Sequence, residues 1–330
     1  MEEVEALYYE KGPEEKVTCH LCPHECIIAE GRTGICRVRE NREGTLYANS
    51  YGRTVTINID PIEKKPLYHF MPGSRILSIG PNGCTMTCRF CQNWNISQEK
   101  MPTRNISASD LASMTDEKGC AGVAFTYTEP LIMYEYILDA ARILRDKNLK
   151  SVIISNGYIN PEPGLKIAET VDGFNVDLKG FNDEFYRKFC GARLEPVKRF
   201  IEIAAENSHL EVTNLIIPEL NDDMDEIEEM VKFISGISRE IPLHFSRFFP
   251  GYRMDDTDST PRETLEKAFD IAKRYLDYVY IGNIFIEGTD KTYCPECGSV
   301  VIERGGYPEN RLNDSGGCPE CGKIIKGVWS

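Results

Sequence analysis

Long apolar runs are missing from this 330-residue chain; no stretch approaches the ~18 consecutive apolar residues that a membrane helix needs. The opening Met1-Glu2-Glu3-Val4-Glu5 is acidic and has no apolar h-region, so a cytoplasmic location is expected. Positive charge is also scarce: 38 Lys and Arg stand against 52 Asp and Glu, a formal net charge of −14. Generic binding to nucleic acid or to an anionic membrane calls for the opposite excess, so neither partner is expected. There is no internal repeat and no low-complexity linker. What is present, 41% apolar and 27% charged residues, excludes a mostly disordered chain and suffices for a real core. The length fits roughly two domains of about 150 residues, or one long α/β barrel with small appendages.

Thirteen cysteines are the informative count. A cytosolic chain keeps its thiols reduced, so clustered cysteines there are read as metal-binding or catalytic before they are read as disulfides. All but Cys120 and Cys190 fall into three groups, and those two read as buried small hydrophobes. The groups divide the chain into an N-terminal Cys-rich region and connector (1–72), a core (73–287) and a C-terminal tail (288–330).

Within the core, short β-branched runs bounded by Gly, Pro, Asn or Asp predict strands at Ile76–Ile79, Gly122–Phe125, Val152–Ile154, Phe174–Val176, Val212–Ile217 and Leu243–Phe245. Helical faces lie between them: Ile137, Ala140, Ala141 and Leu144; Met224, Ile227, Val231 and Ile234; Leu265, Ala268, Phe269, Ala272 and Leu276. Thr260-Pro261-Arg262-Glu263 predicts a capping box for the last of these. Consecutive βα units argue for parallel strands, as a barrel or as an open sheet. In a barrel, chemistry collects at the C-terminal strand ends. Glu129, Asn156, Asp177, Lys179 and Arg247 follow predicted strands in that way.

Cys84, Cys88 and Cys91 follow the first predicted strand, and Gly80 and Gly83 let the backbone wrap closely there. Three thiolates on one loop can ligate three corners of a cubane iron–sulfur cluster and leave the fourth iron open. Structural zinc prefers four ligands in two pairs, so the triplet favours the cluster. The alternatives are zinc completed by a distant His, or reduced structural thiols.

The triplet resembles the signature of the radical S-adenosylmethionine (SAM) superfamily, and the core resembles its pyruvate formate-lyase activating enzyme branch. More closely, the chain resembles the radical SAM member of the AmmeMemoRadiSam system. The segments that carry this are Asp60-Pro61-Ile62-Glu63-Lys64-Lys65-Pro66-Leu67-Tyr68-His69-Phe70, Cys91-Gln92-Asn93-Trp94, Tyr127-Thr128-Glu129-Pro130, Ser155-Asn156-Gly157-Tyr158, Asn175-Val176-Asp177-Leu178-Lys179-Gly180, Leu215-Ile216-Ile217-Pro218 and Tyr280-Ile281-Gly282-Asn283. The resemblance implies a partial (β/α)6 TIM-like barrel. It implies an oxygen-labile 4Fe-4S cluster whose open iron holds SAM and whose electron yields a 5′-deoxyadenosyl radical.

By the same resemblance, Glu129 holds the SAM amino group, although the two glycines that precede this Glu in the family are Tyr127 and Thr128 here. Lys179 pairs the SAM carboxylate, for which a compact point charge is suited, and Asp177 reaches the ribose. Asn156 matches a family Asn. The Asp of that family segment is Ile154, so the monovalent cation site of the activating branch is expected to be absent. Asn214 is a further SAM candidate. His244 and Arg247 stand where substrate is expected, and Phe90 and Trp94 would shield the cluster or adenine.

The terminal groups read separately. Cys294, Cys297, Cys318 and Cys321 form two Cys-x2-Cys knuckles with zinc-ribbon spacing, a second iron–sulfur cluster being the alternative. Cys19, Cys22, Cys26 and Cys36 lack paired knuckles; zinc is the first reading and an auxiliary electron-relaying cluster the second. The leading function is a radical SAM enzyme on an unidentified substrate. Memo-like and AMMECR-type proteins are implied as partners, and a ferredoxin or flavodoxin as electron donor. The alternatives are a glycyl-radical activating enzyme and a non-catalytic SAM-binding scaffold.

Overall fold

A computed structural model describes residues 3–306 and 308–329. Its centre is an eight-stranded sheet made of β1 (Thr56–Pro61), β2 (Arg75–Gly80), β3 (Gly122–Phe125), β4 (Lys150–Ser155), β5 (Gly173–Asp177), β6 (His209–Ile216), β7 (Leu243–Arg247) and β8 (Val279–Gly282). The strands are adjacent in chain order from β1 to β8. β1 runs antiparallel to β2, and every other neighbouring pair is parallel.

Each parallel step is spanned by one helix: α1 (Ala108–Glu117), α2 (Tyr134–Asp146), α3 (Pro161–Ala168), α4 (Leu194–Asn207), α5 (Met224–Ile237) and α6 (Arg262–Ala272). Six βα units and a closing strand make a partial barrel, because β1 and β8 are both edges and do not pair. The six expected strands are all present. β1 and β8 are additional to them.

The amphipathic stripes face the sheet as the spacing requires. α2 buries Ile137, Ala140, Ala141 and Leu144, and removing each large apolar side chain from water contributes about 1.5–3 kcal/mol. Phe174 of β5 meets Phe200 of α4 edge-on at 5.3 Å. Alternation then turns the intervening β5 residues, Asn175 and Asp177, to the opposite, inner face. Ser107 and Asp223 cap α1 and α5 by accepting backbone N–H bonds.

The expected capping box of α6 does not form. Pro261 is its N-cap, without a side-chain bond. The Thr260 hydroxyl instead accepts from Phe248 N (2.8 Å) and donates to the Ile216 carbonyl (2.6 Å). Those buried backbone groups have no other side-chain partner of that kind, and they outcompete the helix end.

The inner face of the lower barrel is a polar cluster. Glu211, fully buried, accepts from the backbone N–H groups of Tyr68 (2.9 Å) and His69 (2.7 Å), and from the rings of His209 (3.0 Å) and His244 (2.6 Å). The C-terminal tail docks on the same connector: Val328 N donates to His69 O, Met71 N to Val328 O, and Arg304 to Tyr68 O.

Candidate active site

The triplet loop leaves β2 through two glycines that no other residue could replace. A Cβ on Gly80 would stand 2.3 Å from the Thr126 carbonyl oxygen. Gly83 has φ +127, and its Cβ would meet the Cys36 carbonyl oxygen at 2.5 Å. Further along, Thr87 N donates to Cys190 O and Arg89 N to Phe189 O, both at 2.9 Å. The loop is thus held on both sides.

On it, Cys84 Sγ accepts from Met86 N (3.3 Å) and faces Asn156 Nδ2 at 3.6 Å. Cys91 Sγ meets Ser97 Oγ at 3.3 Å. Cys88 is buried, and so, as expected, are Cys190 and Cys120. Burial pushes the Cys84 and Cys91 thiols up, so their ionisation calls for a metal.

Spacing separates the three cysteine groups. Four thiolates around one tetrahedral zinc, with bonds of about 2.3 Å, stand roughly 3.8 Å apart. Among the described residues, Cys294, Cys297, Cys318 and Cys321 are the only group whose ligand atoms all lie within 4.8 Å of one another. Sγ pairs there are 3.6 Å (Cys294–Cys321) and 3.7 Å (Cys297–Cys318) apart. The two knuckles are equivalent turns: Gly298 N donates to Cys294 O, Gly322 N to Cys318 O, and both glycines have positive φ. This tetrad is built for a metal. The triplet is too widely spaced for one shared ion and suits a larger multi-iron centre.

Glu129 opens the turn after β3 and is fully buried. Its carboxylate accepts from Leu131 N (3.0 Å), Ser155 Oγ (2.8 Å) and Asn156 N (2.8 Å). With about four lone-pair positions, one stays free. Burial pushes its pKa up to about 7 against these three donors. Asn156 thereby ties Glu129 to Cys84; its side chain also reaches Thr85 Oγ1 (3.1 Å). Lys179 Nζ, mostly buried, donates to Asp177 Oδ2 at 3.0 Å. Burial alone would lower the lysine, but Asp177, Cys88 and Cys190 hold it well above its ordinary value. The same Lys179 acts electrostatically on Glu129.

Some expected residues stand elsewhere. His244 is buried, bonded to Glu211 and packed on Tyr68 and Tyr280, none of which belongs to the groups around the triplet. Its ring serves the lower polar cluster near the start of β7, not the expected strand end, and it also lines the cavity of about 640 Å³ between the barrel's two open edges. Asn214 is corrected too. Alternation puts it on the face opposite Glu211 and Thr213, and its amide donates to Leu178 O (2.7 Å). Thr213, paired with Asp177 across the sheet, has the inward position instead, and its buried Oγ1 has no partner.

Arg247 does end β7, where its Nε donates to Thr260 O (3.0 Å) and braces the following loop. Phe90 is buried against Phe185 at 5.9 Å. Trp94 stacks on Tyr252 with centroids 5.2 Å apart and planes 8° from parallel.

One inner cluster escaped the sequence reading. Asp60 of β1 accepts from Lys65 Nζ (2.8 Å) and Tyr127 OH (2.9 Å), and Lys65 lies 4.6 Å above the Tyr127 ring. Burial raises the Asp60 carboxyl, but Lys65 and Tyr127 outweigh it and hold the pKa at about 2. These contacts also explain how Tyr127 tolerates φ +71 where the family has glycine. Asp60, Lys65 and Tyr127 all lie in segments that carry the resemblance. Recognising β1 as a strand would have joined them.

Residues 78–234 match the family model of the radical SAM superfamily. The chain is 45% identical over 306 residues to the uncharacterized protein MJ0808 of Methanocaldococcus jannaschii, covering 91% of each. It is 23% identical to the pyruvate formate-lyase-activating enzyme of Clostridium pasteurianum, over 59% of this chain and 89% of that one. Among solved structures, Streptococcus suis SuiB bound to S-adenosylmethionine shares the fold, with a TM-score of 0.52 at 12% identity over 67% of this chain and 53% of that one. Sequence, sheet and triplet therefore agree: the chain belongs to the radical SAM superfamily.

Proposed function

We propose that Cys84, Cys88 and Cys91 hold a 4Fe-4S cluster with one iron open to SAM, and that the radical generated takes a hydrogen atom from a separate substrate. The observation that carries this is the hydrogen-bond chain that joins buried Glu129 through Asn156 to Cys84, with the Lys179–Asp177 pair at the end of β5 acting on Cys88 of the same triplet. Glu129 and Lys179 together are complementary to an amino-acid zwitterion: Glu129 keeps a free lone pair for the ammonium, and Lys179 can exchange Asp177 for the carboxylate. A reduced cluster bound there supplies one electron to the sulfonium, releasing methionine and the 5′-deoxyadenosyl radical. Asn156 and Ser155 hold Glu129 in place. Asp177, freed at its outer oxygen, and Thr213 line the inner face for the ribose.

The C-terminal tetrad, at single-ion spacing, is read as a structural zinc ribbon. Its four thiols leave no open position for chemistry. The activating-enzyme reading is the second one. It is favoured by the open seam between β1 and β8, where a cavity of about 640 Å³ lies between Lys64 and Tyr68 on one side and Ser246 and Asn283 on the other. A protein glycine would then be the hydrogen donor. Memo-like and AMMECR-type proteins stay the partners implied by resemblance.

The test is anaerobic reconstitution of the full chain. SAM is expected to change the EPR spectrum of the reduced cluster, and Cys88→Ala to bring 5′-deoxyadenosine formation to background. An EPR spectrum indifferent to SAM, or a fully active Cys88→Ala, overturns the reading.

A further inference from the structure

The N-terminal cysteines are the motif that this function leaves unused. Cys19, Cys22, Cys26 and Cys36 line one small cavity together with Arg39 and Thr85. They come from the Val17–Cys19 strand, the turn after it and the bend at residues 34–36, so three separate backbone segments converge to present four thiols. Arg39, 1% exposed, lines the same cavity; its guanidinium is paired with Glu135 and donates to Leu7 O (2.7 Å), while its buried Nε has no partner.

Two observations decide which centre. No three of these four sulfurs lie within 4.8 Å of one another, although all four border one cavity. The C-terminal tetrad shows what a single-ion site looks like in this same chain, and the N-terminal set does not share its spacing. The corners of a cubane hold their thiolates farther apart than the vertices of a tetrahedron around one ion. Of the nearby histidines, His24 Nε2–H donates to Thr85 O (2.6 Å) and His20 Nδ1 is bonded to Glu25, while His20 Nε2 has no hydrogen-bond partner. The four thiols by themselves match the ligand number of a closed cluster.

We propose that Cys19, Cys22, Cys26 and Cys36 bind a second iron–sulfur cluster, closed by four thiolates, that passes one electron to the centre on the triplet loop. The relay part rests on the function proposed above; the site itself does not. Placement supports the relay. The Cys36 carbonyl is the atom against which Gly83 packs, one residue before Cys84. Thr85, one residue after Cys84, borders the N-terminal cavity. On the outer side, Ile27 and Ile35, each next to a ligand in sequence, are exposed at 73% and 49%. In the step, the reduced N-terminal cluster is oxidised by one electron and the triplet's cluster is reduced by one. No bond is made or broken and no proton moves. A low-potential one-electron protein donor, of the flavodoxin or ferredoxin class, restores the first.

The test is metal and sulfide analysis of full-length protein reconstituted anaerobically with iron and sulfide. The triple variant Cys84→Ala/Cys88→Ala/Cys91→Ala is expected to keep half the wild-type iron and sulfide, with a dithionite-reducible EPR signal that SAM does not alter. Loss of all iron, with a second zinc ion per chain, overturns the proposal. If the triple variant does not fold, Cys22→Ala/Cys26→Ala gives the complementary reading: half the iron is lost and the SAM-sensitive signal persists, whereas unchanged iron content overturns it. This second variant is also expected to retain SAM cleavage with dithionite and to lose it with reduced flavodoxin; equal loss or equal retention with both reductants overturns the relay. Failure of the proposed function looks different, as a wild type with full iron content and no response to SAM.

Discussion

Two glutamates, Glu129 and Glu211, are both fully buried in one barrel and are driven in opposite directions. Burial raises each. Glu129 accepts hydrogen bonds only from neutral donors, Lys179 acts on it without a direct bond, and its pKa climbs to about 7. Glu211 accepts from two histidine rings and two backbone amides, which hold it well below the usual carboxylate range. The lesson is that depth does not tell an acid with room for a ligand from a structural one. What does is whether its bonding capacity is used up. At Glu211 four donors saturate the carboxylate, and the group locks the connector and tail to the sheet. At Glu129 three donors leave one position open, next to three thiols.

The contrast can be broken by removing either charge. Glu211→Gln is expected to cost about 3–5 kcal/mol in urea unfolding, because one carboxylate oxygen becomes an NH2 facing a buried ring and a backbone amide that also donate, and the charge opposite the rings is lost. The triplet's metal content should not change. Glu129→Gln is expected to leave the unfolding midpoint nearly unchanged and to slow SAM cleavage about 100-fold, the upper range for a group that orients a metal-bound partner. If both variants lose stability equally, the distinction between the two acids fails.

A smaller effect sharpens it by pH. His69 is buried under the tail, and burial lowers its pKa to about 3 from an ordinary 6.5. A group depressed on folding stabilises above its unfolded value and loses that contribution as pH falls. Between pH 6.5 and 5 this amounts to about 2 kcal/mol. Glu129, raised on folding, shifts stability the other way by a comparable amount over that interval, so the readout is a difference: wild type should lose about 2 kcal/mol relative to His69→Gln between pH 6.5 and 5. A wild-type-minus-variant difference that stays constant from pH 7 to 5 contradicts the burial of a neutral ring there.

Much of the upper site was legible in the chain because its signals are local. The triplet and the paired knuckles each occupy a few consecutive positions whose spacing announces them, and Glu129 and Lys179 follow predicted strands, their roles being implied by the resemblance. The lower cluster was not legible. Residues 68, 69, 209, 211 and 244 meet only after the barrel closes, so no window contains them. His244 looked like a mouth residue because it lies near a strand end, yet β7 begins only one residue earlier. Asn214 was misplaced for a simpler reason, since counting by twos from Glu211 reaches Thr213. β1 hid behind Asp60-Pro61, which reads as a turn, and β8 is four residues with no clear alternation.

The unpaired edges of β1 and β8 also have a mechanical meaning. In a closed barrel the circumference is set by hydrogen bonds, and changing it means rupturing a ladder. Here the last gap holds a cavity with the docked tail beside it and no ladder joins β1 to β8, so a change in its width would break no backbone ladder.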